Sequence, residues 1–156
     1  MTSNDGVTIG EMTDADARAL IQRNHIGRLA FSLHDRVDIE PLSYVCEGDW
    51  IFMRTSEGRK ANILRHHPWV AFQVDEIRSR VNWQSVVIHG RVQSLSDDSS
   101  LPERQLRERA IAALRLIDPA ATGPSDVFPH RDQVLRLHID EVTARCATFT
   151  TSQAAE

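Results

Sequence analysis

The sequence holds two cysteines, one tyrosine and no apolar run approaching the roughly 20 residues of a membrane span. Cys46 and Cys146 lie far apart, and neither has the neighbouring cysteine that a metal-binding pair requires. Both read as reduced, partly buried thiols of a cytoplasmic protein, with a disulfide between them as the alternative. The first residues, Met1 to Gly6, are polar and lack a secretory leader's apolar core. Positive charge is also short: 18 Lys and Arg face 22 Asp and Glu, a net charge of −4. Nucleic-acid binding rests on a large positive field, so nucleic acid is not the expected partner. No G-x-G-x-x-G or G-x-x-x-x-G-K-[ST] loop occurs, which excludes a Rossmann or P-loop nucleotide site. Nothing marks a nucleophile elbow. The seven histidines show no ligand spacing, and adjacent His66 and His67 on a helix point about 100° apart, so no metal site is expected.

What remains is an ordinary globular composition, 41% hydrophobic and 26% charged over 156 residues, which suits one domain. Residues 1–10 read as a flexible arm, 11–150 as the domain and 151–156 as a disordered tail. Thr13 is a candidate N-cap, with Asp14 and Asp16 favouring the helix dipole and Ala17, Leu20 and Ile21 as the buried stripe. Short strands follow at 27–33, 37–46, 50–54, 69–74, 85–92, 135–139 and 142–149. A short helix over 61–66 is stopped by Pro68, and a longer one runs over 102–117. Arg104, Arg107, Arg109 and Arg115 read as the wet side of that second helix. The Pro/Gly/Ser-rich stretch 119–129 is long enough to be a lid or a partner contact. Pro41 inside a strand implies an edge, a bulge, or a place where something other than a strand meets the backbone. The strand–helix alternation of a parallel sheet is missing, so the expected fold is mainly β (α+β), a small antiparallel barrel with flanking helices.

The most informative stretch is Phe52-Met53-Arg54-Thr55-Ser56-Glu57-Gly58-Arg59-Lys60. It reads as a strand end, a turn with one glycine, and a helix opening on two cations. Unpaired backbone N–H groups and the dipole make a helix start attractive to a phosphate. Arg54, Arg59 and Lys60 would supply counter-charge, and Thr55 and Ser56 hydroxyl donors. The bland alternative is a solvated helix start. Yet cations there oppose the dipole by a few tenths of a kcal/mol, and a bound dianion would reverse that sign.

Four segments in this order, Ile26–Phe31, Ile39–Tyr44, the Arg54–Lys60 turn and Trp83–Arg91, resemble the pyridoxamine 5′-phosphate oxidase-like family of FMN-binding split barrels. The likeness is nearest to the short bacterial members related to Nim-type nitroimidazole reductases and runs over about residues 12–149. The resemblance implies a split antiparallel β-barrel of about six strands with flanking helices. It also implies a homodimer with flavin at the subunit interface. Arg59 and Lys60 would then hold the FMN phosphate, helped by Arg54 and Thr55. Ile39, Glu40, Pro41, Leu42 and Ser43 would lay backbone against the flavin ring, and Ser85 with Trp83 would approach from the other side or from the second subunit. Trp83 has a second reading, as core or interface packing. Two departures stand out. Nim-type members resemble this chain but carry histidine where Arg54 stands. True pyridoxamine phosphate oxidases end in a substrate-binding segment of which only Arg136-Leu137-His138 has a counterpart here, so oxidation of vitamin B6 is not expected.

The function this implies is a cytoplasmic flavin-dependent oxidoreductase acting on a small molecule, with its catalytic residues unassigned. The chemistry would be the cofactor's, while the protein supplies seating and access. Three alternatives stay open: a deazaflavin-dependent reductase of the same fold, a flavin- or heme-binding module without turnover, and a protein–protein module without ligand.

Overall fold

The computed structural model describes residues 5–56, 59–96 and 100–151, with the backbone but not the side chain of Arg59. Eight strands and three helices follow in the order β1 (Gly6–Glu11), α1 (Asp14–Arg23), β2 (Ile26–Leu33), β3 (Arg36–Glu47), β4 (Trp50–Thr55), α2 (Arg59–His66), β5 (Trp69–Ser79), β6 (Asn82–Leu95), α3 (Leu101–Leu114), β7 (Gln133–His138) and β8 (Glu141–Thr150). All pairings are antiparallel. The strand order β1-β8-β6-β5-β2-β3-β4-β7, with β7 returning to β6, closes six strands into a ring. That ring is the split barrel with flanking helices that the resemblance implied, and β8 and β1 extend it from β6.

Two long strands make the split. β3 pairs with β2 over Arg36–Ser43 and with β4 only from Tyr44 onward. β6 pairs with β5 and β8 over its first part and with β7 over Val92–Leu95. Gly90 sits just before β6 meets β7, where a Cβ would lie 1.9 Å from the His138 carbonyl oxygen. The neighbour is backbone and cannot swing aside. Gly90→Ala is therefore expected to destabilise by about 1–3 kcal/mol or more, as overpacking does, read as a lower urea midpoint at unchanged slope.

The barrel interior is filled by alternating strand residues, among them Leu29, Tyr44, Ile51, Met53, Phe72, Val86, Ile88 and Leu137, all essentially inaccessible. Helix α1 adds to this core with Ala17, Leu20 and Ile21. Its start is fixed by Thr13, whose hydroxyl accepts from the Asp16 N–H at 3.1 Å. The Tyr44 hydroxyl donates to the Ile21 carbonyl at 2.6 Å, so the barrel's one tyrosine ties α1 to β3. A second apolar cluster lies outside the ring, where Ala110, Ile111, Ala113 and Leu114 of α3 cover Val45, Phe52, Leu95 and Val134.

Three features differ from the expectations. Residues 6–10 of the supposed N-terminal arm belong to a strand, Gly6–Glu11, registered against Arg145–Thr150 of β8. Val7 and Ile9 alternate with glycine and threonine, but the run is short and both are exposed, so the partner strand supplies the order. The hairpin β5–β6 continues well past its apolar centre to Ser79 and Asn82. Helix α2 begins at Arg59 rather than residue 61. Residues 152–156 of the expected tail lie outside the described residues.

Candidate functional site

Strand β4 separates its side chains by face. Ile51, Met53 and Thr55 point into the barrel, with Thr55 1% exposed and its Cα opposite Gln133. Phe52 and Arg54 point the other way, toward α3 and the loop that follows it. The expected partnership of Arg54 with Lys60 therefore does not form. The Arg54 guanidinium donates to Asp126 through both terminal nitrogens, at 2.5 and 3.4 Å, and to the Arg131 carbonyl at 3.3 Å. Asp118 stands 3.5 Å away.

Asp126 is the hub of that loop. Its side chain is 2% exposed and also accepts the backbone N–H groups of Thr122 and Phe128, both at 2.8 Å. The Arg54 hydrogen bond, with those of Phe128 and Thr122 behind it, holds the Asp126 carboxyl well below the usual carboxylate range. Thr122 has φ of 61°, an outlier for a β-branched residue. Arg115 helps hold it there, donating to the Ala121 carbonyl and the Thr122 hydroxyl. Arg115 is thus a loop brace rather than part of a solvated face.

Lys60 lies on the opposite side. It sits in the first turn of α2, which contains no acidic residue. Its ammonium meets the Glu40 carboxylate of β3 at 2.5 Å, and the lysine side chain is only 12% exposed. Glu40 thereby supplies the negative charge that the helix start lacks. Glu57 and Gly58 lie outside the described residues.

The remaining candidates fall on the outer face of the sheet. Along β3, Leu42 turns into the core while Ile39, Pro41 and Ser43 are exposed. Among the described residues, no strand pairs with the second edge of Arg36–Ser43, so Pro41 sits where no ladder bond is missed. The same outer row runs from Pro41 to Arg28, Gln73 and Val87 on successive strands. Arg28 donates to Gln73 and Asp75, and the Gln73 amide donates to the Ser85 hydroxyl at 3.1 Å. Half-buried Trp83 lies opposite Ile77 and Ala147. Three strand spacings separate β3 from β6, about 14 Å. Pro41 and Ser85 of one chain therefore share a face but do not meet.

A cavity of about 260 Å³ joins Ser43 to Arg54. Ile26, His25, Leu114, Ile117, Phe128 and Arg131 are among its other walls. The Arg131 guanidinium lies 4.8 Å from the centre of the Phe128 ring. His25, Asp118, Asp126 and Arg131 escaped the sequence reading. The signal available was the Pro/Gly/Ser-rich loop, which marks a functional segment without naming its polar contacts.

The pyridoxamine 5′-phosphate oxidase family matches this sequence over residues 13–146, from the α1 cap to β8. The chain belongs to that family. Other comparisons bear on the fold of this pyridoxamine 5′-phosphate oxidase family member. A FAD-binding protein from Mesorhizobium loti superposes with a TM-score of 0.73 at 24% identity, over 92% of this chain and 99% of that one. A proposed 5-nitroimidazole antibiotic resistance protein from Bacteroides thetaiotaomicron gives 0.70 at 12% identity, over 98% and 96%. An uncharacterized protein of Rhizobium meliloti is 30% identical over 84 residues, 54% of this chain. The chain matches about half the length of that relative, 56%. No described helix is long and apolar enough to cross a membrane.

Proposed function

We propose that the protein is a homodimeric flavin-dependent oxidoreductase that binds flavin mononucleotide, either free or as the FMN half of a larger flavin, and reduces a small molecule. The observation that carries this reading is the contact between Lys60 and Glu40. It brings the cation at the start of α2 to β3, whose free edge at Pro41 is open to a planar ring. A phosphate on Lys60 and a ring along Ile39–Ser43 are then parts of one ligand. The name of the Mesorhizobium loti protein as FAD-binding supports the same cofactor class.

The flavin, when bound, supplies hydride or electron transfer. The chain's own part is positional. Lys60 and the N–H groups of α2 neutralise the phosphate, the β3 backbone orients the ring, and the cavity between Ser43 and Arg54 admits the substrate beside it. The outer face supports the dimer reading. Val37, Ile39, Trp69 and Ile77 are exposed apolar residues on one side of the sheet, an arrangement that fits an interface. A second copy packed there would bring its Trp83 and Ser85 toward the ring that one chain's own Ser85 cannot reach.

Glu40 competes with the phosphate for the Lys60 ammonium. Glu40→Gln removes that competitor and is expected to tighten FMN binding several-fold in a fluorescence titration. Weaker binding would mean that Glu40 assists the ligand, and unchanged binding that it does not compete for Lys60. The wider reading is tested by the absorption spectrum and by sedimentation: a yellow dimer is expected, and a monomer with no affinity for any flavin would overturn it.

A further inference from the structure

The cavity of about 260 Å³ between Ser43 and Arg54 has walls of two kinds. Ile26, Leu114, Ile117, Ala121 and the Phe128 ring make one part apolar. Its volume lies just under the about 300–1,000 Å³ of pockets for drug-sized ligands, which limits an occupant to about one ring. A neighbouring cavity of about 280 Å³ shares Arg54 and Arg131 with it and is lined by further charged side chains, Arg107 and Asp132 among them. Arg131 therefore borders an apolar space and a charged one.

The polar contacts of the loop fix Arg131 without using its charge. Asp126 accepts the Phe128 N–H at 2.8 Å, and the Phe128 carbonyl accepts the Arg131 N–H at 2.9 Å. The Arg131 carbonyl in turn accepts from Arg54 at 3.3 Å. These bonds hold the Arg131 guanidinium over the Phe128 ring. Among the described residues no carboxylate pairs with it. The other arginines bracing the loop are spent: Arg54 on Asp126 and Asp118, and Arg115 on the Ala121 carbonyl and the Thr122 hydroxyl. Asp118 also lines the cavity, and Arg54 at 3.5 Å answers its charge. A half-buried, pre-positioned guanidinium that meets no acid, at the edge of an apolar space, matches a carboxylate better than any neutral group.

We infer that this cavity takes a compact, ring-sized substrate bearing one carboxylate, with its ring against Leu114, Ile117 and Phe128 and its carboxylate on the Arg131 guanidinium. Arg131 selects the charge of the substrate, and the Arg54–Asp126 network sets the position of Arg131. The role of substrate rests on the flavin reading above, which puts the flavin ring beside Ser43; the binding of a carboxylate does not.

Benzoate is the probe, with benzamide as its neutral counterpart and acetate as the charge without the ring, each titrated by calorimetry into the full chain as purified. Benzoate is expected to bind at least about tenfold more tightly than benzamide, the effect of one charge-assisted contact, and at least about tenfold more tightly than acetate, the effect of one buried ring. Arg131→Gln should bring benzoate down to the level of benzamide, and Arg131→Lys should keep part of the preference. Arg54 binds the Arg131 carbonyl and not its side chain, so both variants should keep the wild-type melting temperature. In protein that carries flavin, benzoate should also shift the visible absorption, because Ser43 belongs to both the cavity wall and the proposed ring seat. Benzoate that binds no better than benzamide or acetate, a preference that survives Arg131→Gln, or binding that leaves a bound flavin's spectrum unmoved would overturn the inference while leaving the flavin site standing. Arg131-dependent binding of benzoate by a protein that takes up no flavin would support the carboxylate seat and overturn the flavin reading alone.

Discussion

Replacing Lys60 by alanine is expected to weaken flavin binding by about 10- to 100-fold, the loss of roughly 1.5–3 kcal/mol that follows removal of a charged hydrogen-bond partner. The argument is local. Lys60 is mostly covered, so its ammonium is poorly screened, and it stands in a helix turn with no acidic residue of its own. A dianion there gains the lysine charge and the helix N–H groups together. Lys60→Arg keeps the charge but changes the geometry, and should retain much of the affinity. The measurement is a dissociation constant from flavin fluorescence at two salt concentrations. Wild-type binding should weaken as salt rises, and the alanine variant should show a smaller salt dependence. A Lys60→Ala protein with wild-type affinity would remove the phosphate from this position.

Arg54→Ala is expected to open the segment between α3 and β7. It removes both guanidinium contacts of Asp126 and leaves a nearly inaccessible carboxylate facing Asp118 and a strained Thr122. Limited proteolysis within residues 115–132 should accelerate by at least about tenfold, the change expected when a hydrogen bond between charged groups is lost. Asp126→Asn should do the same in part. Flavin affinity through Lys60 should change little, because the two cations serve different segments. Turnover of any substrate that enters beside Ser43 should fall, because the loop forms that cavity's wall. Acid acts in the same direction. Arg54 lowers the Asp126 carboxyl in the folded state, so the stabilisation is complete above the ordinary carboxylate range. It declines progressively as pH falls through and below that range, and is gone only once pH is below the depressed value of the folded state. Protection of the loop should therefore hold to lower pH than an ordinary exposed ion pair allows, and Asp126→Asn should abolish that dependence. A loop equally protected in wild type and both variants would make Arg54 a bystander.

These two arginine and lysine positions show what the sequence does and does not carry. The α1 cap at Thr13, the Pro41 interruption and the buried faces of β6 and β7 are set by neighbours a few residues away, and pattern alone exposes them. The partner of Arg54 lies 72 residues along the chain. No local spacing encodes that meeting, so a cation beside a phosphate turn reads as part of the turn until the two faces of β4 are seen to diverge. The same holds for Glu40. As one of five consecutive strand residues it reads as backbone support, and only the packing of α2 near β3 turns its carboxylate onto Lys60. Strand β1 escaped for a different reason. Val7 and Ile9 are exposed, so its order comes from its ladder with β8 rather than from burial.

The central claim is that a flavin phosphate sits on Lys60 at the start of α2, and one measurement reaches it most directly. The protein is purified without added cofactor, its visible spectrum is recorded, and the released small molecule is identified by mass, in parallel with Lys60→Ala. The account predicts a yellow wild-type protein that releases a flavin nucleotide at about one per chain, and a variant that has lost it. A colourless wild-type protein that takes up neither FMN nor FAD, or a variant that retains its flavin in full, would contradict it.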